Sequence, residues 1–228
     1  MVALNGVAAE SMALRYFARV YGACVWMWAN HLHPGQVVLS GSPTTGLFHL
    51  GRVPAAAADD LDAVRLDRIR QEWAPALLDV RLPADVMPWK YRKLITNVGN
   101  AYQALAGDQR GLRRLIGPTE SEARAVLAAA GIAVTPEDEE SEARRSYTVV
   151  EMPAELGFLG GSTWQSLARG TGNVETDYLN GEIVLIARQY GLDAPLNARA
   201  AALVRRAARG GRGAGTYTVG ELAAALGL

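Results

Sequence analysis

The spacing of apolar residues changes character near Pro83. Before it, short apolar runs alternate with turn-forming residues, which predicts mixed α and β structure. Residues 2–4 read as a buried strand stopped by Asn5-Gly6. A helix is expected over 8–18, with Met12, Leu14 and Phe17 available for packing. Residues 20–28 (VYGACVWMW) are β-branched and aromatic, as strands are. The chain turns at Pro34-Gly35. Residues 37–40 and 47–50 read as two more strands, 59–73 as a helix and 78–82 as a last strand.

After Pro83 every element is read as a helix. On residues 87–105 (MPWKYRKLITNVGNAYQAL), Tyr91, Leu94, Ile95, Val98, Tyr102 and Leu105 share an apolar face. Trp89, Lys93, Asn97, Asn100 and Ala104 share another, which carries an ammonium and two amides but no carboxylate. Thr119-Glu-Ser-Glu122 has the form of a capping box opening a helix to Ala130. Thr135-Pro136 opens another, whose acidic run 137–142 suits the first turns of a helix. Helices are also expected over 174–190, 197–209 and 219–226, with the glycine-rich 210–215 as a break. The division predicted is an α/β portion, 1–83, followed by an all-helical domain, 84–228.

Composition narrows the function. The 23 basic and 23 acidic residues cancel, which argues against a nucleic-acid footprint or a polybasic membrane patch. No apolar run approaches a membrane span, and a lone Cys24 can form no internal disulfide, so the expectation is a cytoplasmic protein. Among 23 basic residues only Lys90 and Lys93 are lysines. Keeping lysine there suggests that a compact, titratable ammonium matters, against the alternative of chance on a solvated face.

A second polar cluster lies in Gly160-Gly-Ser-Thr-Trp-Gln165 and in Asn173-Val-Glu-Thr-Asp-Tyr-Leu-Asn-Gly181. Ser162 and Glu175 could contact a ligand there, or simply cap a helix and offset its dipole. His31-x-His33 has no further Cys, His or acid cluster in support, so no metal site is expected.

Together the two clusters resemble the C-terminal domain of ketopantoate reductases (2-dehydropantoate 2-reductases). The resemblance rests on Lys93-x-x-x-Asn97 inside RKLITNVGN, on Gly-Ser-Thr-Trp-Gln165 and on Glu175-x-Asp177-x-x-Asn180-Gly181. Leu4-Asn5-Gly6 and His31-Leu-His-Pro-Gly35 resemble the end of that family's nucleotide domain. The resemblance implies a partial Rossmann-type α/β portion followed by a helical C-terminal domain of the 6-phosphogluconate-dehydrogenase type. It implies an oxidoreductase of the pantothenate pathway, reducing a small 2-keto acid to a 2-hydroxy acid with NADP as cofactor. Lys93 resembles the general acid, Asn97 and Ser162 substrate contacts, and Asn5 and Glu175 cofactor contacts. Lys93, Ser162 and Glu175 are then expected to share one cleft.

There are departures from the family pattern. Ala101 stands where the family has a further asparagine, and Asn100 lies one position earlier, about a hundred degrees round a helix. Asn100 is therefore taken as the third substrate contact, beside Asn97 and Ser162. The segment Arg169-Gly-Thr-Gly-Asn-Val174 is one residue longer than the common pattern. No G-x-G-x-x-G follows a strand, so the dinucleotide's phosphate loop is missing and the isolated chain is expected to be weak or inactive. Two rivals stand beside the reductase: a non-catalytic small-molecule-binding or assembly module, and one half of a split reductase. The partner expected is a homodimer mate or a separate chain supplying the nucleotide-binding half.

Overall fold

The structure is a computed structural model of the 228-residue chain and describes residues 1–31, 34–150, 160–170, 172–210 and 213–228. Three sequence features fall partly outside the described residues: His33 of the histidine pair, Thr171 of the segment Arg169–Val174, and Gly211 with Arg212 of the glycine-rich break. The chain divides into two compact units. The first takes Met1–Ala29, Val38–Lys93 and Ala133–Met152; the second takes Asn30–Val37, Leu94–Ile132 and Pro153–Leu228.

The first unit is α/β. Its elements begin with α1 (Ala9–Ala13), β1 (Val20–Trp26) and the short β2 (Ala29–Asn30), β3 (Val38–Leu39) and β4 (Gly41–Pro43). There follow β5 (Gly46–Val53), α2 (Asp60–Trp73) and β6 (Leu78–Arg81). The central sheet has the order β1–β5–β6, with β1 antiparallel and β6 parallel to β5. Every residue of β5 is buried, as befits a central strand. Cys24, Trp26, Leu47, Val53, Val86 and Trp89 form one apolar cluster here, and Ala23, Phe48, Leu50, Leu66 and Val80 another.

Two expected elements are shorter than the sequence suggested. The strand over 2–4 is reduced to Val2, bridged in parallel to Gly22, and the helix over 8–18 to five residues. Met12, Leu14 and Phe17 do not pack; they are 40, 37 and 64% exposed. The residue that α1 buries is Glu10, so a charge and not an apolar stripe fixes this helix.

Helix α3 (Met87–Asn97) gives its residues through Lys93 to the first unit. The single helix expected over 87–105 is two, α3 and α4 (Asn100–Ala106). The break has a physical cause. The Val98 carbonyl accepts from the Asn180 amide (3.1 Å), while the Tyr102 N–H turns to Gly99 O (3.1 Å). A side chain inserted into the helical ladder in this way bends it. Gly99 allows the bend to pack, because a Cβ there would lie 3.1 Å from Ile116.

The second unit is helical, with α5 (Arg113–Ala129), then α7 (Ser162–Ala168), α8 (Asn180–Gln189), α9 (Pro195–Gly210) and α10 (Val219–Leu226). Between α5 and α7 the chain visits the first unit as α6 (Glu137–Ala143) and β7 (Tyr147–Val149), which pairs with β4. Tyr102, Leu105, Leu115, Val204, Leu222 and Leu226 anchor the apolar core of the second unit. Among the described residues no helix is long and apolar enough to cross a membrane.

The capping box expected at Thr119 is absent. Thr119 lies inside α5, its hydroxyl bonded to Leu115 O (2.9 Å) and Tyr102 Oη (2.6 Å). Glu122 caps a different helix: its carboxylate accepts from Leu196 N and Asn197 N, both at 2.9 Å, at the start of α9. Asn197 Nδ2 reaches Glu122 (2.9 Å) and Thr119 O (3.3 Å), and its Oδ1 accepts from Asn180 (3.0 Å). The helix expected over 174–190 likewise begins as a 3-10 turn, Glu175–Tyr178, before α8, because Asn180 is turned inward to this network. Helix α10 has its expected range, and Thr218 caps it in a box with Glu221 that the sequence reading did not name.

Replacing Glu122 by Ala leaves two amide donors of α9 without their charged acceptor. Urea unfolding of Glu122→Ala is expected to show a loss of about 2–3 kcal/mol, with Glu122→Gln retaining part of it.

Candidate functional site

The densest concentration of buried charge in the first unit surrounds the last two turns of α3 that belong to it. Lys90 is 3% exposed, an unusual position for an ammonium. It forms an ion pair with Glu10, itself 1% exposed, and donates to Leu4 O at 3.2 Å. One turn on, Lys93 Nζ donates to Asn5 Oδ1 at 2.8 Å and to the Val25 carbonyl. The Trp26 ring centroid lies 5.2 Å from the same nitrogen, within cation–π range. The Arg144 guanidinium stands 4.4 Å from that ring.

The local sequence explains the arrangement. Lys90 and Lys93 are three residues apart on a helix and therefore face the same side. Asn5 follows the Val2 bridge and precedes Gly6, whose φ of 77° turns the chain away. Asn5, Cys24, Lys90 and Lys93 line a small recess of about 10 Å³ that opens to solvent. Burial pushes the Cys24 thiol up to about 11, against the pull of the Lys93 and Lys90 ammoniums. The thiol donates to Trp89 O at 3.4 Å and is inert as a nucleophile.

Next to this recess His49 stacks on Trp89, with ring centroids 3.8 Å apart and planes at 15°. Neither imidazole nitrogen has a protein hydrogen-bond partner. Burial first, then the Arg81 charge, holds His49 down to about 4.

Of the residues singled out from sequence, the structure brings Asn5 and Lys93 into direct contact. Asn97, Asn100, Ser162 and Glu175 belong to the second unit. Asn97 is the buried last residue of α3, and Asn100 is the half-buried first residue of α4. Ser162 is the first residue of α7, whose cap, Gly161, donates its N–H to Gln103 Oε1 at 2.9 Å. Glu175 is exposed at the start of its 3-10 turn. Sequence reasoning missed Glu10, Trp26, Arg144 and the Val25 carbonyl. The visible signal was that Lys90 and Lys93 share the chain's lysine content; Glu10 lies 80 residues from its partner and gave none.

Dinucleotide phosphates do not fit the helix starts that follow the described central strands. The connection from β5 to α2 is Pro54-Ala-Ala-Ala-Ala58, without glycine, and the Asp59 carboxylate already caps α2. Arg19 grips Asp59 (2.6 Å) and Asp62 (2.7 Å), and holds Asp59 well below the usual carboxylate range. After β6, Asp85 Oδ1 accepts from Met87 N (2.9 Å) at the start of α3. A helix start filled by a carboxylate repels the anion that a phosphate cradle would bind. Among the described residues no group of three or more His, Cys, Asp or Glu could hold a metal ion.

Residues 85–208 match the family model described as the C-terminal part of PanE/ApbA ketopantoate reductases. Among solved structures the chain is similar to a PanE/ApbA family ketopantoate reductase from Ralstonia eutropha JMP134, with 24% identity and a TM-score of 0.66. That match covers 92% of this chain and 66% of the other. A D-mandelate dehydrogenase in complex with NADH matches at 20% identity and a TM-score of 0.68, over 91% and 69% of the two chains. The 2-dehydropantoate 2-reductase of Methylococcus capsulatus matches at 18% and 0.68, over 94% and 70%. At these identities the likeness shows the fold, and the chain spans about two thirds of the length of these proteins.

The His49 environment has a pH signature. Its folded-state value lies below the ordinary 6.5, so the unfolded chain binds the extra proton first as pH falls. Stability from this group is complete above about 6.5 and is lost on descent toward about 4, by roughly 3 kcal/mol at most. In urea titrations from pH 7 to pH 4, His49→Leu is expected to flatten that part of the decline.

Proposed function

Because this chain belongs to the PanE/ApbA ketopantoate reductase family, we propose that it carries the keto-acid half of an oxidoreductase that reduces a small 2-keto acid to a 2-hydroxy acid. The observation that carries this reading is the Lys93 ammonium held by Asn5 Oδ1, the Val25 carbonyl and the Trp26 ring beside an open recess. An ammonium so held can donate a hydrogen bond to a carbonyl oxygen and give it a proton as negative charge develops there. A lysine suits this role better than an arginine, because its ammonium can release a proton.

In this reading Lys93 is the general acid, and Asn97, Asn100 and Ser162 contact the substrate. Asn5 and Glu175 contact a nicotinamide dinucleotide, with NADP proposed as the form used. These assignments rest on motif position, whereas the division proposed at residues 83 and 84 rests on the change of apolar spacing there. A bound nicotinamide would supply hydride. The carboxylate-filled helix starts and the absence of a G-x-G-x-x-G make these 228 residues poor holders of its phosphates. We propose a role in which a separate chain contributes to cofactor binding, with a homodimer mate as a further partner. The exposed Leu14, Tyr16 and Phe17 support such an association, since contiguous apolar exposure marks contact surfaces. Placement in the pantothenate pathway and in the cytoplasm belongs to the same proposal.

Isothermal titration with ketopantoate is expected to show saturable binding to the purified chain. Lys93→Ala should weaken it by about tenfold or more, the worth of one hydrogen bond to a charged group. A folded chain that takes up no 2-keto acid would favour the assembly-module reading. NADPH titrated into the same chain is expected to give no saturable signal, and tight binding would overturn the split-cofactor part.

A further inference from the structure

The Lys90–Glu10 pair is not accounted for by the proposed chemistry, yet it is the most deeply buried ion pair near Lys93, with side chains 2% and 1% exposed. Burying such a pair costs desolvation that mutual attraction only partly offsets, so stability alone is a weak reason to keep it. Three contacts place it in service of its neighbour. Lys90 holds Leu4 O, and the next residue, Asn5, holds Lys93. Lys90 and Lys93 line the same recess, and both ammoniums act on the Cys24 sulfur. The site leaves little room around Glu10: a Cβ on Gly22 would stand 3.3 Å from its carboxylate.

We propose that Lys90 and Glu10 are positioning residues that fix the Asn5 strand end against α3 and balance the charge beside the Lys93 ammonium. The inference rests on the reading of Lys93 as a proton donor, since only a titrating group needs its surroundings set in this way. Without Glu10, two like charges would share one recess, and Lys93 would lose its proton more readily. Without Lys90, an uncompensated carboxylate would face it and hold the proton on. The other charges around Lys93 stay in place in both cases. Arg92 and Arg144 are tied to Glu140 (3.6 and 3.0 Å), Arg92 also to Glu137 (2.9 Å), His49 stacks on Trp89, and Cys24 lies on β1.

The chain's two lysines make the test direct. In protein labelled with 13C-lysine, only two Cε–Hε signals appear, and Lys90→Met assigns them by deletion. The Lys93 titration midpoint is expected to fall in Glu10→Gln and to rise in Lys90→Met, each by about one to three pH units. The double variant should return it to within half a unit of the parent. Shifts of the same sign, no shift, or a double variant displaced as far as either single one would overturn the proposal. Should one single variant fail to fold, the other must still move the midpoint in its stated direction, and its failure to do so overturns the proposal. Ketopantoate failing to bind while the opposed shifts appear would remove the functional reading and leave this pair's role intact. Bound ketopantoate with unmoved midpoints would do the reverse.

Discussion

Two ammonium groups placed one helical turn apart, the first fully buried, set the central constraint on this protein. A desolvated lysine must find acceptors or lose its charge. Lys90 finds a carboxylate and a backbone carbonyl, and Lys93 a side-chain amide, a carbonyl and an aromatic face. Each contact is made through a single oxygen or a ring, Glu10 using only Oε1, which suits the compact tetrahedral ammonium. A planar guanidinium is built for paired oxygens. This accounts for lysine at these two positions in a chain otherwise rich in arginine.

The same demand shapes the start of the chain. Of the larger apolar residues in 2–10, Val7 is buried while Leu4 stands in solvent, and the other ties run to backbone and charged groups. Val2 pairs with β1, Leu4 O accepts from Lys90, and Glu10 meets Lys90. Helix α1 is short because no apolar stripe extends it: Tyr16 and Phe17 stand in solvent. The polar end of the strand is thereby delivered to Lys93, and the apolar residues around it are left outward.

Buried polar groups play a different part in the second unit. Asn180 and Asn197 are nearly inaccessible and satisfy each other, the Val98 carbonyl and Glu122. The cost of an unmet amide is high enough to break a helix in two, as happens between α3 and α4. Sequence periodicity ran straight through that point. The apolar face of residues 87–105 is indeed buried, with Leu94, Ile95, Val98, Tyr102 and Leu105 at 1% exposure or less. Periodicity reports which side enters the apolar core, and it cannot register a distant amide that takes one carbonyl from the ladder. Thr119 misled for a related reason. Its spacing to Glu122 satisfies a capping box, but Leu115 is fully buried and draws the helix start back to Arg113.

What the sequence determined by itself was local or motif-bound: the α2 and α10 ranges, the lysine pair, and the ordered motifs of the family. These follow from neighbours within a few residues, where propensity and spacing act. Tertiary structure alone decided which acid meets Lys90, what holds Lys93, where α3 stops, and which helix Glu122 caps. Those outcomes depend on pairing buried charges and amides across 17 to 88 residues of chain. No pattern along one stretch encodes a partner chosen by desolvation in three dimensions.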